Sequence, residues 1–275
     1  MRKVALAIVA AGFATPVFAA DLPVKAPAVA VSPAYDWTGF YAGLNAGADW
    51  GHYGLGATVP GGTNNINGAA TAAALAAGNG SVDKVGFTGG GQIGYNRQLI
   101  QGLVVGIEGD IVYLGDRATR DTGVLVVGGS SIQDVDRLSH DWLATVRGKI
   151  GFTTGPALLY ATGGVAFTDV HFARTQAWSF ADGCPITANG LELCHAGSVS
   201  ETRTGWAAGL GGEYMFGSNW SAKLEYLHAR FDASGFTTMN VSVPNQAIIH
   251  SVRSDIDIVR AGINWHFGGP VVAKY

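Results

Sequence analysis

The chain has 275 residues, 48% of them hydrophobic and only 13% charged, with 41 glycines and a net charge of -3. Glycine stands at roughly twice its usual share and charge at about half, with no collagen period. The balance excludes a basic nucleic-acid binder, and two cysteines exclude a disulfide framework or a four-ligand structural zinc site.

Residues 1–19 read as a secretory signal. Arg2 and Lys3 precede an apolar run from Val4 to Phe13, and Val17-Phe18-Ala19 supplies small residues for cleavage after Ala19. The run is shorter than the ~20 residues a spanning helix needs. Cleavage would move the net charge from -3 to -5, because Arg2 and Lys3 leave with no acid. Residues 20–36, with Pro23, Pro27 and Pro33, read as an extended periplasmic linker.

Eight strand-length segments then fill 37–267, each alternating in character as a strand with two unlike faces must. They fall at about 37–50, 85–97, 103–114, 141–153, 157–171, 203–216, 220–231 and 253–267. In the fourth, Trp142, Ala144, Val146, Ile150 and Phe152 alternate with Thr145, Arg147 and Lys149. In the eighth, Val259, Ala261, Ile263, Trp265 and Phe267 alternate with Arg260, Asn264 and His266. The connections alternate too. Residues 98–102, 154–156 and 217–219 are short, whereas 52–84, 115–140, 172–202 and 232–252 read as long loops. This predicts an all-β fold: an eight-stranded antiparallel transmembrane β-barrel in the outer membrane, with short periplasmic turns, long extracellular loops and both mature termini periplasmic.

The face opposite the apolar one carries Glu108, Asp110, Glu213 and Glu225 against Arg147, Lys149, Lys223 and Arg260. An eight-stranded barrel has an interior that side chains can fill, and unpaired buried charge is costly. The eight residues are therefore expected to form a lumen charge network that plugs the barrel. Aromatics near strand ends, among them Trp37, Tyr41, Trp50, Trp142, Trp206 and Trp220, are expected to form interface girdles.

Other patterns carry less. Gly89-Gly90-Gly91-Gln92-Ile93-Gly94 fits a dinucleotide fingerprint, but no helix pattern follows it, so the glycines are assigned to strand curvature. Cys184 and Cys194 lie in the third long loop and are expected to form a disulfide in an oxidising compartment. Of the seven histidines, most fall in or beside the assigned loops and read as solvated. The alanine run 69–77 suits a short helix or a mobile loop equally. No cofactor, metal site or catalytic constellation is expected.

The last predicted strand reads Arg260-Ala-Gly262-Ile-Asn-Trp265-His-Phe267 and resembles the β-signal read by the barrel-assembly machinery. With WTGFYAGLNAG (37–47), HDWLATVRGKIGF (140–152), LLYATGGVAF (158–167) and WSAKLEYLHARFD (220–232), the chain resembles the outer-membrane immunogenic proteins of α-proteobacteria, small porin-like surface barrels of the OmpA–OmpX type. The resemblance implies a surface antigen that supports envelope integrity among outer-membrane lipid and lipopolysaccharide, and assigns Arg260, Gly262, Trp265 and Phe267 to the assembly signal. A narrow porin for small solutes is the alternative, and loop capture of haem a further one. Oligomeric state is left open. Residues 268–275 extend past Phe267 as a C-terminal tail, where such chains usually end on the aromatic.

Overall fold

In a computed structural model, the described residues are 35–60, 68–99, 102–179, 185–186, 190–240, 242 and 246–267. The signal segment, most of the linker and the tail lie outside them. The chain divides into two units, Met1–Pro33 and Ala34–Tyr275, and the second holds all of the described structure.

That unit contains β1 (Gly39–Thr58), α1 (Gly68–Gly78), β2 (Gly80–Gln98), β3 (Leu103–Asp121), β4 (Leu125–Val127), β5 (Ser130–Thr154), β6 (Ala157–Trp178), β7 (Glu192–Phe216), β8 (Trp220–Met239) and β9 (Ala247–Phe267). Antiparallel pairing runs β3-β2-β1-β9-β8-β7-β6-β5, and β3 pairs with β5 to close the ring. β4 is a short hairpin partner of β5. All eight predicted segments are staves of this ring.

One belt of the wall is apolar on its outside. Leu44, Ile93, Ile107, Ile111, Ile150, Leu159, Leu210, Leu224 and Ile263 are exposed there. Exposed aromatics border it on both sides: Trp50, Tyr113, Trp206 and Tyr226 at one edge, Phe40, Phe152, Phe216, Trp220 and Phe267 at the other. The belt occupies 40–50 of β1, 142–152 of β5 and 206–216 of β7, matching the ~9–11 residues a tilted strand needs to cross a bilayer. Trp37 and Tyr41, expected in the girdle, are instead buried inside the ring. Trp37 sits with Val104, Leu158, Tyr160 and Met215 in an apolar layer at the short-turn end.

The assigned long loops are mostly strand, which corrects the sequence reading. β5 begins at Ser130 and β7 at Glu192, well inside segments read as loop. The physical reason is an inversion of pattern. Within the belt, apolar side chains point out and polar ones in. Beyond it the outside meets water, so apolar residues point in: Tyr53 and Leu55 of β1, Val170 and Phe172 of β6, Val252 and Ile256 of β9 are buried. A search for one constant phase ends each strand at this boundary.

The ring also divides beyond the belt. β2 pairs with β3 no further than Thr88↔Leu114, and β7 pairs with β8 no further than Gly205↔Phe231. Beyond these points two sheets remain, β2-β1-β9-β8 and β3-β5-β6-β7, each with its own ladders. Tyr53, Leu55 and Val252 of one face Ala118, Leu138, Val170 and Phe172 of the other across a shared core. This is sandwich packing built on top of a membrane barrel.

Helix α1 closes the far end. Alanine is the strongest helix former, and its small side chain lets Ala73, Ala74 and Ala77 pack between Ala57 and Ile248 of one sheet and Ile132 and Trp178 of the other. Arg120 Nη1 donates to Ala77 O (3.0 Å) and Arg174 Nη1 to Gly78 O (3.1 Å). Two guanidinium groups thus hold the carbonyls that a helix C-terminus leaves free.

Candidate functional site

The interior of the belt holds a single polar layer. All eight predicted lumen charges lie in it, none more than 6% exposed. Arg147 is the hub: its guanidinium reaches Glu108 Oε1 at 2.7 Å, Asp110 Oδ2 at 2.8 Å and Glu225 Oε1 at 3.0 Å. Arg260 bridges Asp110 (2.8 Å) and Glu225 (2.6 Å) from the opposite wall. Lys223 pairs with Glu108 (3.0 Å), and Lys149 lies between Glu108 (3.2 Å) and Glu213 (3.9 Å). Four acids meet four bases, so this network is neutral by itself; Asp49, also buried inside the belt, stands outside it.

Neutral groups satisfy what the ions leave. Lys149 Nζ donates to Tyr41 Oη (2.9 Å), which donates to Glu108 Oε2 (2.7 Å). A relay of amides runs Asn45 to Gln92 (2.5 Å), Gln92 to Asn264 (2.7 Å) and Asn264 to Glu213 Oε1 (2.6 Å). Thr162 accepts from Arg147 (2.9 Å). Every stave therefore contributes a side chain. Strand alternation puts Asn45, Gln92 and Thr162 on the same inner face as the charges, without naming them as network members; Tyr41 shares that parity but was expected in the girdle.

Glycines make room for this layer. Gly94 lies under the Tyr41 ring, where an added Cβ would collide with Cζ. A Cβ at Gly90 would collide with Ile111 O in the same sense. Gly89 and Gly91 meet nothing closer than 3.5 Å. The Gly-rich run is thus half close packing, not curvature alone, and β2 continues through it with no helix after it.

Apolar layers seal the network. Val112, Leu114, Leu143, Ala166, Leu227, Phe231, Ile256 and Ile258 form a buried cluster on the long side. Beyond it, a second polar layer lies outside the belt. Arg174 forks onto Asp136, with Nη2 to Oδ2 at 2.9 Å, and donates Nη1 to His250 Nδ1 (3.0 Å). His250 Nε2 meets Thr238 Oγ1 at 2.8 Å. Burial holds the His195 imidazole down at about 4. Burial, with Arg174 beside it, holds His250 at about 3. Burial pushes the Asp134 carboxyl up to about 6 against the pull of Arg174. Several of the expected solvated histidines, His140, His195 and His250, are in fact buried, because the strands run through the assigned loops, and His266 is buried on the lumen face of the last predicted strand.

Of the predicted disulfide pair, Cys194 is fully buried and disulfide-bonded; Cys184 lies outside the described residues. Of the predicted assembly signal, Trp265 and Phe267 are exposed on the belt at the end of β9, while Arg260 points inward to the ion network. Gly262 packs against Leu44 O, where a Cβ would come within 2.9 Å. On the outer wall, Asp141, Asp169 and His171 bring ligand-type atoms within 4.8 Å of one another, with Arg117 3.8 Å from Asp141.

A closed ring with an apolar outer belt, aromatic borders and a neutralised polar interior defines an outer-membrane β-barrel protein. The family model of the outer membrane protein β-barrel domain matches residues 5–246, and the chain belongs to that family. It is 32% identical to the 31 kDa outer-membrane immunogenic protein of Brucella melitensis over 97% of this chain and all of the relative. It is 27% identical to the 25 kDa outer-membrane immunogenic protein of Brucella canis, covering 93% and 92% of the two chains. Among solved structures, the outer membrane protein OprG of Pseudomonas aeruginosa aligns over 84% of this chain and 98% of its own, at 11% identity and a TM-score of 0.47.

Proposed function

We propose that the protein is a non-conducting structural barrel of the outer membrane, which supports the envelope and presents its far end at the cell surface. The observation that carries this reading is the lumen: a neutral ion network tied to every stave, with apolar layers on both sides and α1 across the far end. Such a filling opposes a continuous aqueous path and braces the wall. The short turns face the periplasm, and the sandwich, α1 and the remaining connections face outward, as in barrels of this class. Trp265 and Phe267 at the end of β9 serve assembly. Glu108, Asp110 and Glu225 are held by short ion pairs, and Glu213 by Ser221, Asn264 and His266 in the same sealed layer, which supports a scaffold. Planar-bilayer recording of the refolded chain is expected to show no steady unitary conductance. Reproducible open-channel steps would overturn the reading in favour of a narrow porin.

A further inference from the structure

The outer wall of the β3-β5-β6-β7 sheet carries a trough of about 410 Å³ just beyond the aromatic border. Register fixes its floor. One row runs Arg117↔Ser139↔His171↔Ser200, and the next runs Thr119↔Arg137↔Ala173↔Ser198. Small side chains sink the centre while Arg117, Arg137 and His171 rise around it. Arg137 is exposed and forms no ion pair among the described residues. Arg117 makes one long contact, 3.8 Å to Asp141, and is largely exposed.

The position is set by two irregularities. β3 shifts register between Tyr113 and Asp116, and β5 between Ser139 and Leu143. Bulges re-aim side chains; here Asp141 and Trp142 are consecutive and both half-buried on the outside. Trp142 pairs with Tyr113 in the aromatic border, and Arg117 and Arg137 lie further along the same tilted strands, about 10 Å beyond that border, level with the outer part of a glycolipid headgroup. Asp141 and Asp169 lie on the membrane side of the trough. Asp169 Oδ1 is occupied by the amides of Asp141 (2.9 Å) and Trp142 (3.2 Å), and its Oδ2 faces His171 Nε2 at 3.1 Å. Ser200 holds His171 Nδ1 at 2.8 Å. The upper row has no acid, and its arginine fork and hydroxyls are the donors that phosphate oxygens take.

We propose that this trough seats a phosphate of an outer-leaflet glycolipid headgroup, with Arg137 and Arg117 donating to it and the hydroxyls of Thr119 and Ser139, which stand between them on β3 and β5, completing the cradle. The assignment rests on the orientation proposed above. The glycolipid would be held against the sheet that also anchors α1, so lipid and protein brace one another at the surface.

The test uses the refolded full chain in detergent and bisphosphorylated lipid A as probe, with its dephosphorylated form as comparison. Heat-modifiable mobility in gels verifies that each variant is folded. The wild type is expected to bind the phosphorylated probe at least tenfold more tightly than the dephosphorylated one. Arg117→Ala/Arg137→Ala should lose that preference, whereas Arg253→Ala, an exposed cation on the other sheet, should keep it. Equal binding of both probes, or equal loss in Arg253→Ala, would overturn the site. Displacement of the probe by equimolar inorganic phosphate would make it a free-phosphate site and overturn the lipid assignment. Binding that survives in the arginine variant but disappears with a chelator would move the contact to a cation held by Asp141, Asp169 and His171. Orientation is read separately, by protease access to the 121–129 hairpin in whole cells: if only periplasmic protease reaches it, the orientation fails while the binding result stands.

Discussion

Removing Arg147 is the sharpest perturbation of the lumen. The side chain is fully buried and donates to Glu108, Asp110, Glu225, Thr145 and Thr162. Arg147→Met keeps much of the apolar stem but leaves four acids facing three bases in a layer whose side chains are cut off from bulk solvent. Breaking a buried pair by deleting one partner costs about 3–5 kcal/mol. With a urea slope of about 2 kcal/mol per molar, the unfolding midpoint should fall by about 1.5–2.5 M. The measurement is urea unfolding of the barrel refolded in lipid vesicles, followed by Trp fluorescence. Arg230→Ala is the control: it removes the same charge from an exposed pair with Asp255 (2.7 Å), worth about 0–1 kcal/mol. If Arg147→Met refuses to fold, Thr162→Val tests the same hub more gently and should cost about 1 kcal/mol. A midpoint for Arg147→Met no lower than that of Arg230→Ala would refute the claim that the network carries the lumen.

Other consequences follow from the same packing. Gly94→Ala forces its methyl into the Tyr41 ring and should destabilise by about 1–3 kcal/mol, whereas Gly89→Ala, with nothing nearer than 3.6 Å, should be close to neutral in the same urea assay. Asp49 is fully buried, with neither carboxylate oxygen paired to another residue's donor among the described residues; Asp49→Asn removes that charge and should raise the midpoint rather than lower it. The far end should loosen as pH falls. His195 and His250 titrate at about 4 and about 3 in the fold against 6.5 when free. The unfolded chain therefore takes up their protons first, and stability is lost between about pH 6.5 and 3. Asp134, raised to about 6 from 3.8, works in the opposite direction over about pH 6 to 4. Protection factors at 73–79 and 246–252, taken relative to the intrinsic exchange rate at each pH, should fall on acidification, more steeply in Asp134→Asn and less in His250→Gln. An unchanged slope in both variants would contradict this account. Arg174→Met should release α1, seen as faster exchange in the helix and new protease cleavage beyond the belt, with the belt itself protected; a helix as protected as in the wild type would count against the latch.

The sequence by itself determined what depends on the period of a strand and the chemistry of lipid. Alternation places each of Phe40, Leu44, Ile150, Leu210 and Ile263 on one face and Glu108, Arg147, Glu225 and Arg260 on the other, and a single phase holds for as long as the outside is hydrocarbon. Staves, belt, aromatic borders and the membership of the ion layer were legible for that reason. What lay beyond the belt was not, because the meaning of the pattern reverses where water replaces lipid: Tyr53, Phe172 and Ile256 are apolar residues of an ordinary core, on strands whose other half is inside out. Only the tertiary structure decided which acid meets which base, since Arg147 and Glu225 are 78 residues apart and meet across the lumen. It also decided that the wall splits into two sheets, that an alanine run becomes the helix between them, and that two bulges aim Asp141 and Trp142 outward beside the arginines. These depend on distances around a closed ring, and closure is a property of all eight strands together.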